Sequence, residues 1–301
     1  MQELVILSGK GGTGKTSLTA AFAYLAENNV LCDADVDAAD LHLLASPEVL
    51  QTTDFMGGGI AEIDPDKCTE CGTCKDVCRF GAISDGFVVE PIGCEGCGVC
   101  VDMCPEQAIT FPPQKCGEWF ISDSRFGPMV HARLGIAEEN SGRLVSLIRK
   151  EARELAEQKG HDLLITDGPP GIGCPVIASI SGATAIVIVV EPTVSGLHDM
   201  ERVAQLAAHF SIPGMICINK SDLNPELSAE IEQSAEKHNM KVLGKVPFDA
   251  IFVKSMIEGQ NIFEYEEDSP AKQVLEDIWQ KIVSAPALNG MGVVDLRATI
   301  K

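Results

Sequence analysis

Two runs of cysteine carry the most specific chemistry in this chain. Cys68-x-x-Cys71-x-x-Cys74-x-x-x-Cys78 is followed by Cys94-x-x-Cys97-x-x-Cys100-x-x-x-Cys104-Pro105. Three thiols at that spacing wrap three corners of an iron–sulfur cubane, and in two-cluster proteins the fourth thiol crosses to the other cubane. The spacing therefore predicts one [4Fe-4S] cluster on Cys68, Cys71, Cys74 and Cys104. It predicts a second on Cys78, Cys94, Cys97 and Cys100. Zinc is the poorer reading, because zinc sites use pairs of C-x-x-C separated by a longer loop. Disulfides are poorer still. Met1-Gln2-Glu3-Leu4 has no basic n-region and no small-residue cleavage site after its apolar run, so it reads as a mature strand in a cytoplasmic protein. Cytosolic chains do not keep structural disulfides.

A second constellation lies near the N-terminus. Gly9-Lys10-Gly11-Gly12-Thr13-Gly14-Lys15-Thr16 satisfies G-x-x-x-x-G-K-[ST] between an apolar run and a helical stretch. The glycines let backbone N–H groups approach phosphate oxygens, Lys15 reaches the β/γ-phosphates and the Thr16 hydroxyl can ligate Mg²⁺. The expected nucleotide contacts are Gly11, Gly12, Thr13, Gly14, Lys15, Thr16 and Ser17. Asp167 ends the apolar run Leu163-Leu164-Ile165-Thr166, which suits an acid that holds the Mg²⁺ shell. Gly171, in Gly168-Pro169-Pro170-Gly171, is placed to offer a backbone N–H to a γ-phosphate. Asp33, Asp35 and Asp37 follow another short run, where carboxylates can hold the metal-bound water or orient the attacking water. The expected Mg²⁺ set is Thr16, Asp33 and Asp167.

These side chains need a scaffold that gathers loops at one place. Apolar, β-branched runs at Leu4–Leu7, Val30–Cys32, Leu163–Thr166, Ala185–Val190, Met215–Ile218 and Val242–Val246 read as strands. Lys15–Ala26, Ser141–Lys159, His198–Phe210 and Pro225–His238 read as helices between them. That alternation predicts an α/β fold with a mainly parallel sheet covered on both faces. The cysteine-rich segment interrupts it, between Gly57-Gly58-Gly59 and Pro112-Pro113. The expected division is a P-loop NTPase domain at 1–58 and 114–301, with a small α+β insert at 59–113. Ala82-Ile83 and Ala108-Ile109 recur at matching offsets after each quartet and mark an internal duplication.

Lys10, the second lysine of the phosphate loop, resembles the mark of the deviant Walker A ATPases, the MinD/Mrp/nitrogenase-iron-protein group. In that family the early lysine crosses a dimer interface, so the resemblance implies that Lys10 reaches a partner subunit's ATP. It also implies catalytic roles for Lys10, Lys15, Asp33, Asp37 and Asp167. Asp33 and Asp37 correspond to the switch I acids, with Asp35 unassigned between them. Gly-Pro-Pro-Gly resembles switch II of the Mrp-type branch. Asn219-Lys220-Ser221-Asp222 resembles the base-recognition segment, and Pro247-Phe248-Asp249 the loop that closes over the base. N-K-x-D also occurs in GTPases, so ATP over GTP rests on the resemblance. The quartets resemble bacterial ferredoxins. The whole chain looks like the MinD-type ATPases with an inserted ferredoxin-like domain, which are associated with metal-cofactor or iron–sulfur assembly.

The resemblance thus implies a dimeric ATP hydrolase, homodimer or heterodimer with a paralogous ATPase, that uses ATP, Mg²⁺ and two [4Fe-4S] clusters. It would serve a recipient metalloprotein or cofactor-assembly protein. The alternative is an ATP-gated electron-transfer reductase resembling the nitrogenase iron protein. A positioning ATPase on membrane or DNA fits least. The net charge, 23 − 44 = −21, repels phosphate backbones, so no nucleic-acid partner is expected. No apolar window reaches about 18 residues, and Asn289–Lys301 lacks the basic amphipathic character of a membrane tail. Of the other cysteines, Cys32 and Cys217 lie in strands and read as core residues. Cys174 lies in the switch II segment and Cys116 just after the insert, which makes them the candidates for a bridging metal. The C-terminal C-x-x-C of Mrp carriers is absent. The six histidines show no ligand spacing, and His131 is the best placed of them. Glu139-Asn140-Ser141-Gly142 reads as a capping turn.

Overall fold

The computed structural model describes residues 1–135 and 141–288. The Glu139–Asn140 part of the expected cap and the Asn289–Lys301 stretch lie outside them. In chain order, β1 (Gln2–Ser8) leads to α1 (Lys15–Leu25), and β2 (Asn29–Asp33) to α2 (Leu41–Ala45). Then come β3 (Glu48–Gly59), β4 (Glu62–Ile63), α3 (Thr73–Val77), α4 (Val99–Asp102), β5 (Ile109–Thr110), β6 (Pro113–Ser124) and β7 (Gly127–Leu134). The chain continues through α5 (Ser141–Lys159), β8 (Leu163–Pro170), α6 (Cys174–Ile180), β9 (Ala185–Val190), α7 (Val194–His209) and β10 (Gly214–Asn219). It closes with α8 (Pro225–Lys237), β11 (Lys241–Val246), α9 (Ile251–Ile257) and α10 (Pro270–Val283).

Two compact units result. The first comprises Met1–Thr52, Trp119–Arg133 and the chain from Ser141 onward; the second comprises Thr53–Glu118 and the segment starting at Leu134. The second unit is wider than 59–113 because β3 and β6 each lie partly in one unit and partly in the other.

Among the described residues the strand order of the main sheet is β11-β10-β9-β1-β8-β2-β7-β6-β3. The pairings from β11 through to β7 are parallel. Such strands are covered on both faces, which is why they read as unbroken apolar runs. Pleat alternation divides β1 between two cores. Leu4 and Ile6 face a cluster with Phe22 of α1 and Trp279 of α10, whose rings stack at 5.7 Å. Val5 and Leu7 face a cluster with Val176 of α6 and Met200 and Val203 of α7. One polar group interrupts the second face. Glu3 is buried, and its carboxylate takes a two-pronged contact from Arg149 of α5, with both N–O distances 2.8 Å. Thr166 donates to the same carboxylate at 3.1 Å, so α5 is fixed against β1 and β8. Removing one partner of such a pair leaves a buried charge unmatched, which costs more than the pair itself contributes.

The sequence reading did not anticipate β3, β6, β7 or α10. Much of β3 is exposed and polar (Gln51-Thr52-Thr53-Asp54), so it carries no apolar period. His131 lies in β7. It stacks on Phe120 at 4.9 Å, and its Nε2 is 2.9 Å from Ser122 Oγ, so it is a packed residue. Burial, with a smaller push from His42, lowers its pKa to about 4. The unfolded chain takes up this proton near pH 6.5 and the folded chain only near 4, so His131 withdraws stability as pH falls through that window. His131→Phe should therefore flatten the fall in thermal midpoint between pH 6.5 and 4, read by calorimetry against wild type.

Candidate functional site

The phosphate loop runs from the end of β1 to the start of α1 in the first unit. Gly14 forms the helix N-cap with φ +87°, and a Cβ there would come within 2.4 Å of Asn219 Nδ2. Both the left-handed backbone and the close approach require glycine. Lys15 is buried. Its Nζ stands 2.9 Å from Asp167 Oδ1 and 3.4 Å from Asp35 Oδ2. Burial alone would lower the Lys15 pKa, but Asp167, Asp35 and Asp33 together outweigh it and hold the ammonium above its usual value. Asp167, at the C-terminal part of β8, also accepts from Thr16 Oγ1 and Thr19 Oγ1, both at 2.8 Å. The Thr13 hydroxyl is buried without a hydrogen-bond partner. A phosphate oxygen would satisfy it, as buried polar groups require. The loop, its lysine and its Mg²⁺-type threonine therefore fit a nucleotide and its metal, with Ser17 next along α1 and partly buried.

The acids of the β2 loop divide sharply. Asp33 is fully buried and accepts from the Asp35 and Leu41 N–H groups, each at 3.2 Å. Burial pushes its pKa well above the carboxylate range, and the Asp167 charge adds to the push. Asp35 is buried beside Lys15, whereas Asp37 is exposed. The expected pairing of Asp33 with Asp37 is thereby corrected to Asp33 with Asp35. The strand ends at Asp33 and the chain turns at Val36 and Asp37, which carries the Asp37 side chain out to solvent.

Three further expected nucleotide contacts are engaged within the chain. Gly171 has φ +90°, and its N–H donates to the Ser8 carbonyl at 2.9 Å, so it is engaged with the phosphate loop's own strand. Asn219 is 6% exposed; its Nδ2 donates to the Thr13 carbonyl at 2.7 Å, and its Oδ1 accepts from the Lys220 N–H at 3.0 Å. It braces the loop. Asp249 caps α9 by accepting from the Ile251 N–H at 2.9 Å, and it accepts from Ser269 Oγ at 2.5 Å. Of the segment expected over the base, Pro247 is partly buried and Phe248 is exposed. The Phe248 N–H donates to Asp222 Oδ1 at 2.6 Å.

Lys10 reaches residues of its own chain. Its Nζ lies 3.1 Å from Thr193 Oγ1, 3.4 Å from Ser195 Oγ and 3.2 Å from Glu191 Oε2. Lys220 holds the other Glu191 oxygen at 3.0 Å and donates to the Gly12 carbonyl at 3.1 Å. Burial raises the Glu191 pKa, but the two lysines outweigh it and hold the carboxyl below its usual value. Sequence reasoning missed Glu191 because a lone acid after a strand has no motif.

The second unit repeats itself with a shift of 26 residues, the interval from Cys68 to Cys94. Positive φ recurs at Glu70 and Gly96, at Gly72 and Gly98, and at Gly81 and Gln107. The short helices α3 and α4 follow Gly72 and Gly98, and β4 pairs antiparallel with β5. Two cavities follow from this arrangement. One is walled by Cys68, Cys71, Cys74 and Cys104, the other by Cys78, Cys94, Cys97 and Cys100. Each fourth cysteine thus stands with the other run's triplet. The remaining walls are largely apolar, including Ile63 and Ile109 in the first and Ile83 and Phe111 in the second. The Cys68 and Cys104 sulfurs accept from the Glu70 and Ala108 N–H groups at 3.4 and 3.3 Å. Burial and neighbouring thiols raise the pKa of Cys74 and of Cys100. Among the described residues no group of three or more His, Cys, Asp or Glu is gathered to hold a metal ion.

Cys116 is buried, and its thiol donates to the Gly57 carbonyl at 3.0 Å. A thiol so engaged is not available to bridge two subunits, which removes it from the expected metal pair. Cys174 is exposed at the start of α6, and Cys32 and Cys217 are core residues.

The parallel sheet, the loop between β1 and α1, and the buried Lys15–Asp167 pair define a P-loop nucleotide-binding protein. The CobQ/CobB/MinD/ParA nucleotide binding domain family matches residues 4–262, and the chain belongs to that family. The Uncharacterized protein MJ0578 of Methanocaldococcus jannaschii is 31% identical over 286 residues, covering 94% of this chain and 96% of that protein. The Uncharacterized ATP-binding protein MJ0547 of the same organism is 27% identical, covering 94% and 88%. Among solved structures, MinD from Pyrococcus horikoshii complexed with Mg-ADP superposes with a TM-score of 0.57 at 15% identity, covering 94% and 96%. MinD in the MinC:MinD cell division complex of Aquifex aeolicus gives 0.57 at 19% identity, covering 95% and 97%. These two likenesses concern the fold. Among the described residues no helix is long and apolar enough to cross a membrane.

The brace role of Asn219 is testable. Asn219→Ala should weaken ATP and GTP alike, by roughly tenfold, since it leaves a buried carbonyl unsatisfied. Titration calorimetry with both nucleotides checks this; a loss confined to ATP would restore the base-reading role.

Proposed function

We propose that this protein is a dimeric ATPase that couples ATP binding and hydrolysis to iron–sulfur or metal-cofactor assembly or transfer, with a [4Fe-4S] cluster in each cysteine-walled cavity. One observation carries the reading. Both cavities are walled by four cysteines, three from one run and the fourth from the other, in a chain whose first unit holds a phosphate loop. In the first cavity the Cys68 and Cys104 sulfurs have backbone N–H donors, as thiolate ligands need, and a cationic cluster core would offset the raised pKa of Cys74 and Cys100. Bound clusters would supply electrons or iron–sulfur units to a recipient metalloprotein or assembly factor.

The first unit would act on the nucleotide through its own side chains. Lys15 and Thr16, now on Asp167, would hold the phosphates and the Mg²⁺, and Asp33 and Asp167 would support the metal's shell. Asp35 stands where an acid can orient the attacking water. Gly171 would exchange its Ser8 contact for a phosphate, which moves the start of α6 and with it Cys174. Asp222 spends one carboxylate oxygen on Phe248, so it does not offer a guanine both oxygens, which supports ATP. Lys10 would leave Glu191 to reach the partner subunit's ATP, and Glu191 thus holds the open form.

Three measurements test this. Anaerobically reconstituted protein should hold about eight iron and eight sulfide per chain, the content of two cubanes. Cys100→Ala should lose about half, and a wild-type count near zero overturns the cluster reading. Lys15→Ala and Asp35→Ala should each cut ATP hydrolysis by about 10²-fold or more, with Asp37→Ala near wild type. Glu191→Gln should release Lys10 and lower the ATP concentration needed for dimerisation in analytical ultracentrifugation. Lys10→Ala hydrolysing at the wild-type rate would remove the trans role.

A further inference from the structure

The duplication inside the second unit supplies its own control, because each surface position at one cavity has a counterpart at the other. Three counterparts differ in kind. Phe80 and Val99 line the second cavity, where Glu106 and Thr73, 26 residues away in the repeat, line the first. Ile92 corresponds in the same way to Asp66.

The apolar side chains are not tucked in. Phe80 is 51% exposed, Val99 44%, Ile92 98%, and Met103, one turn beyond Val99, 52%. Ile92 is held out by a short turn, pinned where the Glu90 N–H donates to the Ala82 carbonyl at 2.7 Å and Gly93 N–H to the Glu90 carbonyl at 3.1 Å. Ala82 itself lines the second cavity, so this turn belongs to the same face. The side of the other cavity exposes Val88 in a groove with Cys68 and Phe87, so the contrast lies in the number of exposed apolar residues and in the acidic rim.

The charge around the patch is mainly acidic, with Arg79 beside Phe80 the exposed base next to it in sequence. Glu90, Glu95 and Asp102 are exposed, and residues 80–113 contain no Lys, Arg or His. The insert's bases, Lys67, Lys75 and Arg79, all come from the first run, where Lys67 pairs with Asp64 and Lys75 with Asp85. An apolar centre inside an acidic rim matches a protein surface with an apolar recess and a basic rim.

We propose that the face formed by Phe80, Ile92 and Val99 with Glu90, Glu95 and Asp102 is the docking surface for a basic-rimmed redox protein, and that the Cys78/Cys94/Cys97/Cys100 cavity is the exchange end of the insert. The exchange end and the redox character of the partner rest on the cluster reading above; the acidic, apolar-centred docking surface for a basic-rimmed protein does not. The other cavity has Glu106, Thr73 and Asp66 in the matching places.

Cytochrome c, a small carrier with a basic rim, serves as the probe. Its binding to the full-length reconstituted protein is measured by calorimetry across a salt series. Wild type should bind, and more weakly as salt rises, because rim charges are screened. Glu95→Lys with Asp102→Lys, and separately Ile92→Asp, should each weaken binding by about tenfold. The control, Asp66→Lys with Glu70→Lys at the other face, should change it less than about twofold. No binding by wild type, or equal loss in both charge-reversed variants, overturns the proposal. Iron counts on the same samples separate the two readings. Equal losses at full iron content sink the docking face alone. Face-specific loss with no iron sinks the cluster reading and leaves the docking face standing.

Discussion

The nucleotide half of this protein is organised around one buried carboxylate. Asp167 sits with no solvent exposure at the end of a central strand and is matched at once by Lys15, Thr16 and Thr19. A bare charge in that position is untenable, so phosphate loop, first helix and central strand must hold their mutual positions to keep it satisfied. Asp33 and Asp35 crowd the same ammonium, and burial with the neighbouring Asp167 charge raises the Asp33 pKa. The cluster has more acid than Lys15 can neutralise, so a second cation improves it. That is the electrostatic reason a nucleotide–metal pair suits this loop.

The second unit solves a different problem with the same economy. A short segment cannot bury much apolar surface, and its core is little more than Ala61, Cys74, Ile83 and Ile109 with partly buried neighbours that include other cysteines. Duplication lets one backbone design serve twice, with left-handed residues at matched offsets turning the chain around each cavity. The cavity walls are the core cysteines themselves, so the structure and any cluster bound there would depend on one another. Identity between the halves stops at the rim, where apolar and acidic residues gather on one face.

Lys10 shows how one residue can serve two states. Held by Glu191, Thr193 and Ser195, it stabilises the loop of an isolated chain. The contact is partly exposed, so it costs little to break. An interaction of that strength would let Lys10 leave for a partner subunit, as proposed above.

What the sequence settled on its own was local. The phosphate loop is contiguous, and the cysteine runs have fixed spacing, so both could be read without knowing where anything else lay. Central strands were legible because burial on both faces leaves an unbroken apolar run, as in Ala185–Val190. Tertiary structure decided the rest. It chose Asp35 over Asp37, turned Asn219 toward Thr13 and engaged the Gly171 N–H with Ser8. It also buried the Cys116 thiol against Gly57 and gave Lys10 a partner nearly two hundred positions away in sequence. Each of these depends on where a side chain or N–H points and on what a distant segment brings to meet it. Residue type and spacing along the chain carry neither quantity, because direction is fixed only once the sheet has closed and the groups around it compete for partners.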